Sequence, residues 1–245
     1  LDFIKNVKYA PYSYSKLNTF DQCQKKFEYI YVNKISIDAG YIDPSYFKRG
    51  RFLHAYIANR LNGGDGTNMK RYDVEINDKM HLIDCANHAL DNDYIKFSYD
   101  FDINMIESYI ALNNKLNPIK VKEPSILNGY IDYFAVKDNY AVIVDWKSGK
   151  FRSDTNYFQL KLYALWLIQK YPKITEIDLV FYYVEHDKIK LKIVTPQKIF
   201  SFKNNLIEKI NFIENTTEFH TNESKLCKKC PFIITCMEHN GIGEL

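Results

Sequence analysis

Residues 129–150 read Gly-Tyr-Ile-Asp-Tyr-Phe-Ala-Val-Lys-Asp-Asn-Tyr-Ala-Val-Ile-Val-Asp-Trp-Lys-Ser-Gly-Lys. Two apolar runs flank the polar turn Lys137-Asp138-Asn139. The second run, Ala141-Val142-Ile143-Val144, is unbroken and largely β-branched, as expected of a strand covered on both faces. It ends in Asp145-Trp146-Lys147. Side chains alternate along a strand, so Asp145 and Lys147 share one face and Trp146 takes the other. Trp146 is therefore expected to anchor the strand while a carboxylate and an ammonium point into a cleft. A two-residue turn at Asp138-Asn139 suits a type I′ hairpin, because Asp and Asn tolerate positive φ. Lys137 then pairs with Tyr140, and counting back sets Asp132 opposite Asp145. Facing carboxylates are unfavourable on a bare sheet and favourable around a divalent cation. The hairpin is read as a metal site rather than as two solvated aspartates.

Upstream, residues 13–34 read as a helix capped by Ser13 or Ser15, with Leu17, Phe20, Gln24, Phe27 and Tyr31 near a 3.6-residue period. Cys23 lies inside it and on its own reads as a small core residue. A second helix is read over 45–62, stopped by Gly63-Gly64 and carrying Gly50-Arg51-Phe52-Leu53-His54. Residues 63–78 read as a polar loop, 79–92 and 102–117 as two further helices, with Pro118 ending the last. These four helices are expected to stand beside the sheet as a helical insertion. Residues 119–127 read as the first core strand, where Glu123 is placed facing solvent. Cys85 and the histidines His81, His88, His186, His220 and His239 are read as structural.

Downstream, Asp154 or Thr155 can cap a helix that Pro172 ends near Tyr171. Gln159 and Tyr163 share one face of it. Strands are read over 176–185 and 188–194, then a helix over 197–214. Cys227, Cys230 and Cys236 have C-x2-C-x5-C spacing, a ligand pattern that is one thiolate short of a tetrahedral set. The fourth must be Cys23 or Cys85, and spacing alone does not separate an iron–sulfur cluster from zinc.

Composition sets the frame. The 245 residues are 46% hydrophobic and 26% charged, with a net charge of +3, 20 Tyr and 16 Phe. That is ample for one globular domain and neither demands nor excludes nucleic acid. Abundant Asn, Ile and Lys fit A/T-rich coding, as in a virus or an AT-rich bacterium. No apolar run is long enough to span a bilayer. The start at Leu1 has no signal-peptide pattern and is expected to be a trimmed end. Five unevenly spaced cysteines argue for metal ligation in a reducing, cytoplasmic setting rather than a secreted disulfide framework.

Taken in order, Gly129-Tyr130-Ile131-Asp132, then Asp145-Trp146-Lys147-Ser148-Gly149, then Gln159-Leu160-Lys161-Leu162-Tyr163 resembles the core of the PD-(D/E)XK nuclease superfamily, most closely the RecB branch. The resemblance implies a restriction-endonuclease-like α/β core with a central mixed sheet flanked by helices. It divides the single domain into an N-terminal helical part (1–118), a catalytic sheet core (119–195) and a C-terminal helix with a cysteine-rich segment (196–245). It makes His54 a metal-binding histidine, by its Gly-x-x-x-His helix, and gives Gln159 and Tyr163 a DNA-facing role. His54, Asp132, Asp145 and the Trp146 carbonyl would hold Mg²⁺ or Mn²⁺, Lys147 would assist the chemistry, and Lys150 and Arg152 would neutralise phosphates. In a subgroup that includes the AddB nuclease domain and CRISPR-adaptation nucleases, one N-terminal and three C-terminal cysteines hold a [4Fe-4S] cluster. Cys23, Cys227, Cys230 and Cys236 match that arrangement, except that Gln24 stands where Pro is common, and a four-thiolate Zn²⁺ site is the alternative. Such a link would staple the two chain ends together.

The implied activity is metal-dependent exonucleolytic hydrolysis of DNA ends or single strands, in repair, recombination or processing. The alternative is a silent or partner-dependent DNA-binding subunit of a helicase–nuclease or CRISPR-adaptation-type complex. No Walker motif is present, so unwinding would come from a helicase or recombination partner.

Overall fold

In the computed structural model, which describes residues 3–5, 7–36, 44–67, 69, 74–120 and 123–240, the hairpin forms with the expected register. β1 (Ile103–Leu112), β2 (Leu127–Lys137), β3 (Tyr140–Lys147), β4 (Glu176–Tyr183) and β5 (Lys188–Val194) follow in chain order. Lys137 pairs with Tyr140 and Tyr133 with Val144 in the antiparallel β2–β3 pair, and the next step of that register sets Asp132 opposite Asp145. Of the two turn residues only Asp138 takes a positive φ, 53°. The turn is therefore not type I′, which needs positive φ at both positions; its two-residue length alone is enough to fix the register.

The five strands lie in the order β1-β2-β3-β4-β5. All neighbours are antiparallel except β3 and β4, which are parallel. A parallel step needs a crossover of a dozen or more residues. Helices α1 (Tyr14–Gln22), α2 (Gln24–Phe27), α3 (Pro44–Leu61), α4 (Ile76–Asp91) and α5 (Asp93–Lys96) precede or flank the first strand, α6 (Phe158–Lys170) makes the crossover, and α7 (Pro196–Asn215) and α8 (Ile233–Asn240) follow the last strand. Helices cover both faces of the sheet, and each face has its own core. Ala141 and Ile143 of β3 pack with Leu160, Leu165 and Ile210 on the α6–α7 side. Val142, Val144 and Trp146 pack with Phe52, Leu53 and Leu82 of α3 and α4 on the other. This is the mixed α/β sheet flanked by helices that the sequence implied. Among the described residues no helix is long and apolar enough to cross a membrane.

Three readings of the sequence are corrected. Residues 103–112 are not helical but form strand β1, so part of the segment read as a helical insertion belongs to the sheet. Of the expected first strand over 119–127, the described residues 119, 120 and 123–126 are not in a strand and 121–122 lie outside the described residues; β2 begins at Leu127, and Glu123 is exposed in the connection. The expected helix over 13–34 breaks at Cys23, which is extended (φ −166°, ψ 114°) between α1 and α2, and a π-turn follows at Glu28–Val32. Smaller shifts occur at helix starts. Ser13 caps α1 by accepting from Lys16 N at 3.3 Å, and α6 starts at Phe158, whose N–H goes to Asn156 Oδ1 at 2.9 Å rather than to Asp154 or Thr155. The polar loop read over 63–78 lies partly outside the described residues and is already helical from Ile76.

The N-terminal segment is tied to α7. Glu214, fully buried, accepts from Lys8 N at 2.7 Å, Tyr9 N at 3.1 Å and Tyr12 Oη at 2.9 Å. One turn earlier Asn211 accepts from Lys5 N at 3.1 Å and donates to Phe3 O at 3.2 Å.

Candidate active site

The candidate site lies where the β1–β2 ladder is interrupted. Ile106 pairs with Tyr133 and Ser108 with Ile131, leaving Glu107 and Asp132 opposite each other and unpaired between them. Glu107 is in the left-handed region at φ 48°. The strand alternation slips at this point. Ile110 and Ile131 pack on the α6 side, whereas Ile106 and Tyr133 pack on the α3 side. Distortions of this kind re-aim side chains next to active sites. Here they turn both carboxylates toward His54 of α3. Ligand atoms of His54, Glu107 and Asp132 all lie within 4.8 Å of one another.

Asp132 and Asp145 have further partners. His54 Nδ1 is 3.3 Å from Asp132 Oδ2, and the same oxygen accepts the Trp146 backbone N–H at 2.9 Å. On β3, Asp145 is 2% exposed, and its Oδ2 lies 2.6 Å from Lys147 Nζ. Lys147 also donates to Gln159 Oε1 at 3.2 Å, and Gln159 Nε2 donates to Tyr163 Oη at 2.9 Å. Tyr163 is largely buried, and its ring stands where a Cβ on Gly129 would approach to 3.2 Å. Likewise a Cβ on Gly50 would approach Ser148 Oγ to 3.2 Å. The two glycines let α6 close on β2 and let α3, with its histidine, close on the Asp-x-Lys strand.

The charges are strongly coupled. Burial alone would depress His54, but the Asp132 carboxylate beside it, with Asp145 and Glu107 beyond, outweighs this and holds the imidazole up at about 9. Loss of water, with Asp132 adding to it, pushes Glu107 up to about 7. Burial pushes Asp145 up to about 6 against the opposing Lys147 ammonium. A site that gathers this much negative charge suits a cation.

His54, Asp132, Asp145, Trp146, Lys147, Lys150, Arg152, Gln159 and Tyr163, all picked out in the sequence, line one cleft of about 690 Å³. They are not equivalent within it. The Asp145 carboxylate stands apart from the tight His54–Glu107–Asp132 group and pairs with Lys147. Trp146 contributes backbone, since its ring is buried 5.6 Å from that of Tyr182. Gln159 and Tyr163 form a hydrogen-bonded line behind Lys147. Glu107 falls in a segment read as helix, because Ile103, Ile106 and Ile110 stand at helical spacing; the β-branched and aromatic content of the run, with Tyr109, is a weak signal for a strand that this spacing masks. His81 and His88 lie away from the cleft beside Glu185 and Asp187, at 3.6 and 3.0 Å.

A family model described as the PD-(D/E)XK nuclease superfamily matches residues 11–237. The chain belongs to this superfamily. Among solved structures, this nuclease-superfamily chain resembles a candidate exonuclease from Eubacterium rectale at 11% identity, with a TM-score of 0.52 over 97% of this chain and 90% of that one. It also matches SSO0001 at 14% identity and a TM-score of 0.35, over 77% of this chain and 79% of that one. The first likeness is one of fold. No curated protein matches. Superfamily members use divalent metals, and the His54–Glu107–Asp132 group supplies the hard oxygen and imidazole donors such ions take.

A second candidate ligand set lies in this superfamily chain beyond Gln22, which lines both the cleft and a further cavity. Cys23, Cys227, Cys230 and Cys236 line one cavity together with Tyr29 and Phe232. Cys23 reaches it because the helix breaks there. Cys85 lies elsewhere, with Sγ 3.7 and 3.8 Å from the ring nitrogens of His81. All five thiols are free of disulfides.

Proposed function

We propose that this chain is a divalent-metal-dependent deoxyribonuclease that hydrolyses phosphodiester bonds at DNA ends or in single strands. The observation that carries the reading is the cleft lined by His54, Asp132, Asp145 and Lys147, with Glu107 set against His54 and Asp132 from an adjoining cavity that His54 also lines. His54, Glu107 and Asp132, with Asp145 beside them, would hold Mg²⁺ or Mn²⁺. Such a cation would acidify water and offset charge on the phosphate. The Lys147 ammonium, held between Asp145 and Gln159, supplies a fixed positive charge where the phosphate gains negative charge during attack. Asp132 fixes the Asp-x-Lys strand by accepting the Trp146 N–H. Lys150 and Arg152 line the cleft mouth and suit phosphate contacts. In the hydrolysis, a water oxygen bonds to phosphorus, the ester P–O bond breaks, and the leaving oxygen takes up a proton.

Cys23, Cys227, Cys230 and Cys236 are further proposed to hold a [4Fe-4S] cluster. The convergence of these four on one cavity, with Cys85 left out, supports a four-thiolate site. A Zn²⁺ site is the competing occupant.

The test is incubation with Mn²⁺ or Mg²⁺ and end-labelled single- and double-stranded DNA. Metal-dependent release of mononucleotides from ends is expected. Internal cuts in circular DNA would make it an endonuclease, and no cleavage under any metal would refute the activity.

A further inference from the structure

β5 is one of the two edge strands of the sheet, and its two faces differ. Leu191 and Ile193 are exposed on one face. Lys188, Lys190 and Lys192 share the other, opposite Tyr183, Phe181 and Leu179 of β4. Directly opposed residues share a face, so the lysines lie on the α6 side, the side of the cleft. Phe181 also pairs with Asp145 and lies under Lys147, whose Nζ is 4.9 Å from its ring centre. Asp145, Phe181 and Lys190 are thus neighbours on three adjacent strands. Two strand spacings put the Lys190 backbone only about 10 Å from that of Asp145.

The lysines are ordered by the loop that walls the cleft. Lys188 and Lys190 Nζ lie 5.0 and 5.2 Å from the Phe151 ring centre, and Lys192 lies 5.6 Å from that of Tyr157. Lys190 also donates to Ser153 O. Phe151 in turn packs edge-on against Tyr183, which lines the cleft, with ring centres 5.1 Å apart. Among the described residues no carboxylate pairs with Lys188, Lys190 or Lys192. Burial and the nearby Lys192 depress Lys161 of α6, a sign that like charges accumulate here. Lysines on an edge strand also guard against strand pairing, but guarding needs neither one face nor an aromatic support packed against Tyr183 of the cleft wall.

We infer that Lys188, Lys190 and Lys192, set against Phe151 and Tyr157, form a track for the sugar–phosphate backbone of a single DNA strand that runs from the cleft across the β5 edge. On an extended strand the three charges recur at roughly 6.8 Å, twice the rise per residue, a linear row suited to successive phosphates. The inference rests on the deoxyribonuclease reading and adds to it the path of the strand outside the site.

The test uses the full chain without divalent metal and fluorescent single strands of about 4 and about 16 nucleotides, the short one sized for the cleft and the long one reaching the track. Lys188→Gln/Lys190→Gln/Lys192→Gln should weaken the long strand about tenfold. It should also make log Kd against log salt shallower by up to roughly 2. Binding of the short strand and Mn²⁺-dependent hydrolysis of a p-nitrophenyl nucleotide ester should stay at wild type. The triple Lys→Glu variant keeps a charged edge and should lose at least as much long-strand binding. Unchanged long-strand affinity and salt slope in both variants overturns the track. Loss in the Gln variant with wild-type binding in the Glu variant also overturns it, by assigning the lysines to edge protection. Wild-type protein that neither binds DNA nor cleaves it refutes the deoxyribonuclease reading itself.

Discussion

Glu107 of β1 and Asp132 of β2 stand opposite one another at the point where the β1–β2 ladder leaves both unpaired. Glu107 holds a left-handed backbone (φ 48°) to do so, a conformation that costs a non-glycine residue on the order of 1–3 kcal/mol. Strain of this kind persists when something else depends on it. Glu107→Gln should keep the backbone and weaken Mn²⁺ binding by at least tenfold. Glu107→Gly should abolish the ligand yet raise the stability of the metal-free protein by roughly 1 kcal/mol, because glycine adopts positive φ freely. Calorimetric Mn²⁺ titration and urea unfolding read the two effects. Wild-type metal affinity in both variants would remove Glu107 from the site.

Asp132 is asked to do two things. It faces His54 and also accepts the Trp146 N–H at 2.9 Å. Asp132→Asn keeps an acceptor for that N–H, whereas Asp132→Ala leaves it without one, at a cost of about 1–3 kcal/mol. Both variants should lose metal binding and cleavage, and only the alanine variant should lose stability on that scale. Equal stability of the two would mean that the Trp146 bond contributes nothing to holding the Asp-x-Lys strand.

The hairpin was legible because a two-residue turn and an apolar run leave one register. A slip of one residue would turn Asp145 and Lys147 to the wrong face. The glycines of the two motifs were legible as motif letters, while their physical reason, close approach of Tyr163 and Ser148, needed the packing. β1 was not legible. Ile103, Ile106 and Ile110 fall at helical spacing, and the alternation that marks a strand is broken at Glu107 by the kink that brings the site together. Pro118 and Pro124 argued against a strand over 119–127, since proline is confined to strand edges and starts. The break of the helix at Cys23 has no glycine or proline to announce it.

Metal binding should release protons. In the metal-free protein the carboxylates hold His54 near 9 and burial holds Glu107 near 7, whereas metal ligands must be deprotonated. At pH 7 binding therefore expels the imidazole proton together with part of one from Glu107. Affinity should rise with pH through 7 and flatten above about 9. Titration calorimetry in two buffers of different ionisation enthalpy counts the protons. A binding enthalpy independent of buffer would show that His54 is already neutral or stays outside the coordination sphere.

Lys147 is positioned from two sides, by Asp145 at 2.6 Å and Gln159 at 3.2 Å, with Tyr163 behind Gln159 at 2.9 Å. Ammonium is no divalent-metal ligand at neutral pH. Lys147→Ala should thus cut turnover by orders of magnitude with Mn²⁺ binding largely kept. Tyr163→Phe removes only the far end of the line, so kcat should fall severalfold with KM nearly unchanged. A change in KM alone would make Tyr163 a substrate contact rather than a support.

The chain ends approach each other at two places. Cys23 lines one cavity with Cys227, Cys230 and Cys236, which a bound cluster would tie together, and Glu214 of α7 separately holds Lys8, Tyr9 and Tyr12. The second junction consists of three hydrogen bonds to a fully buried carboxylate. It needs no bound group, and bonds to charged acceptors are worth about 1.5–3 kcal/mol each. Anaerobically purified protein should contain about four iron atoms per chain, with thiolate-to-iron absorption, and Cys85→Ser should keep them. Cys23→Ala should lose the iron and some stability, yet still unfold cooperatively from a native near-ultraviolet spectrum, because the Glu214 junction remains. Glu214→Ala should destabilise by about 3 kcal/mol or more while the iron stays bound in the folded fraction. One zinc in place of the iron would change the occupant and leave the two-junction argument standing. Complete unfolding of Cys23→Ala would make the cysteine site the sole staple and the Glu214 junction dependent on it.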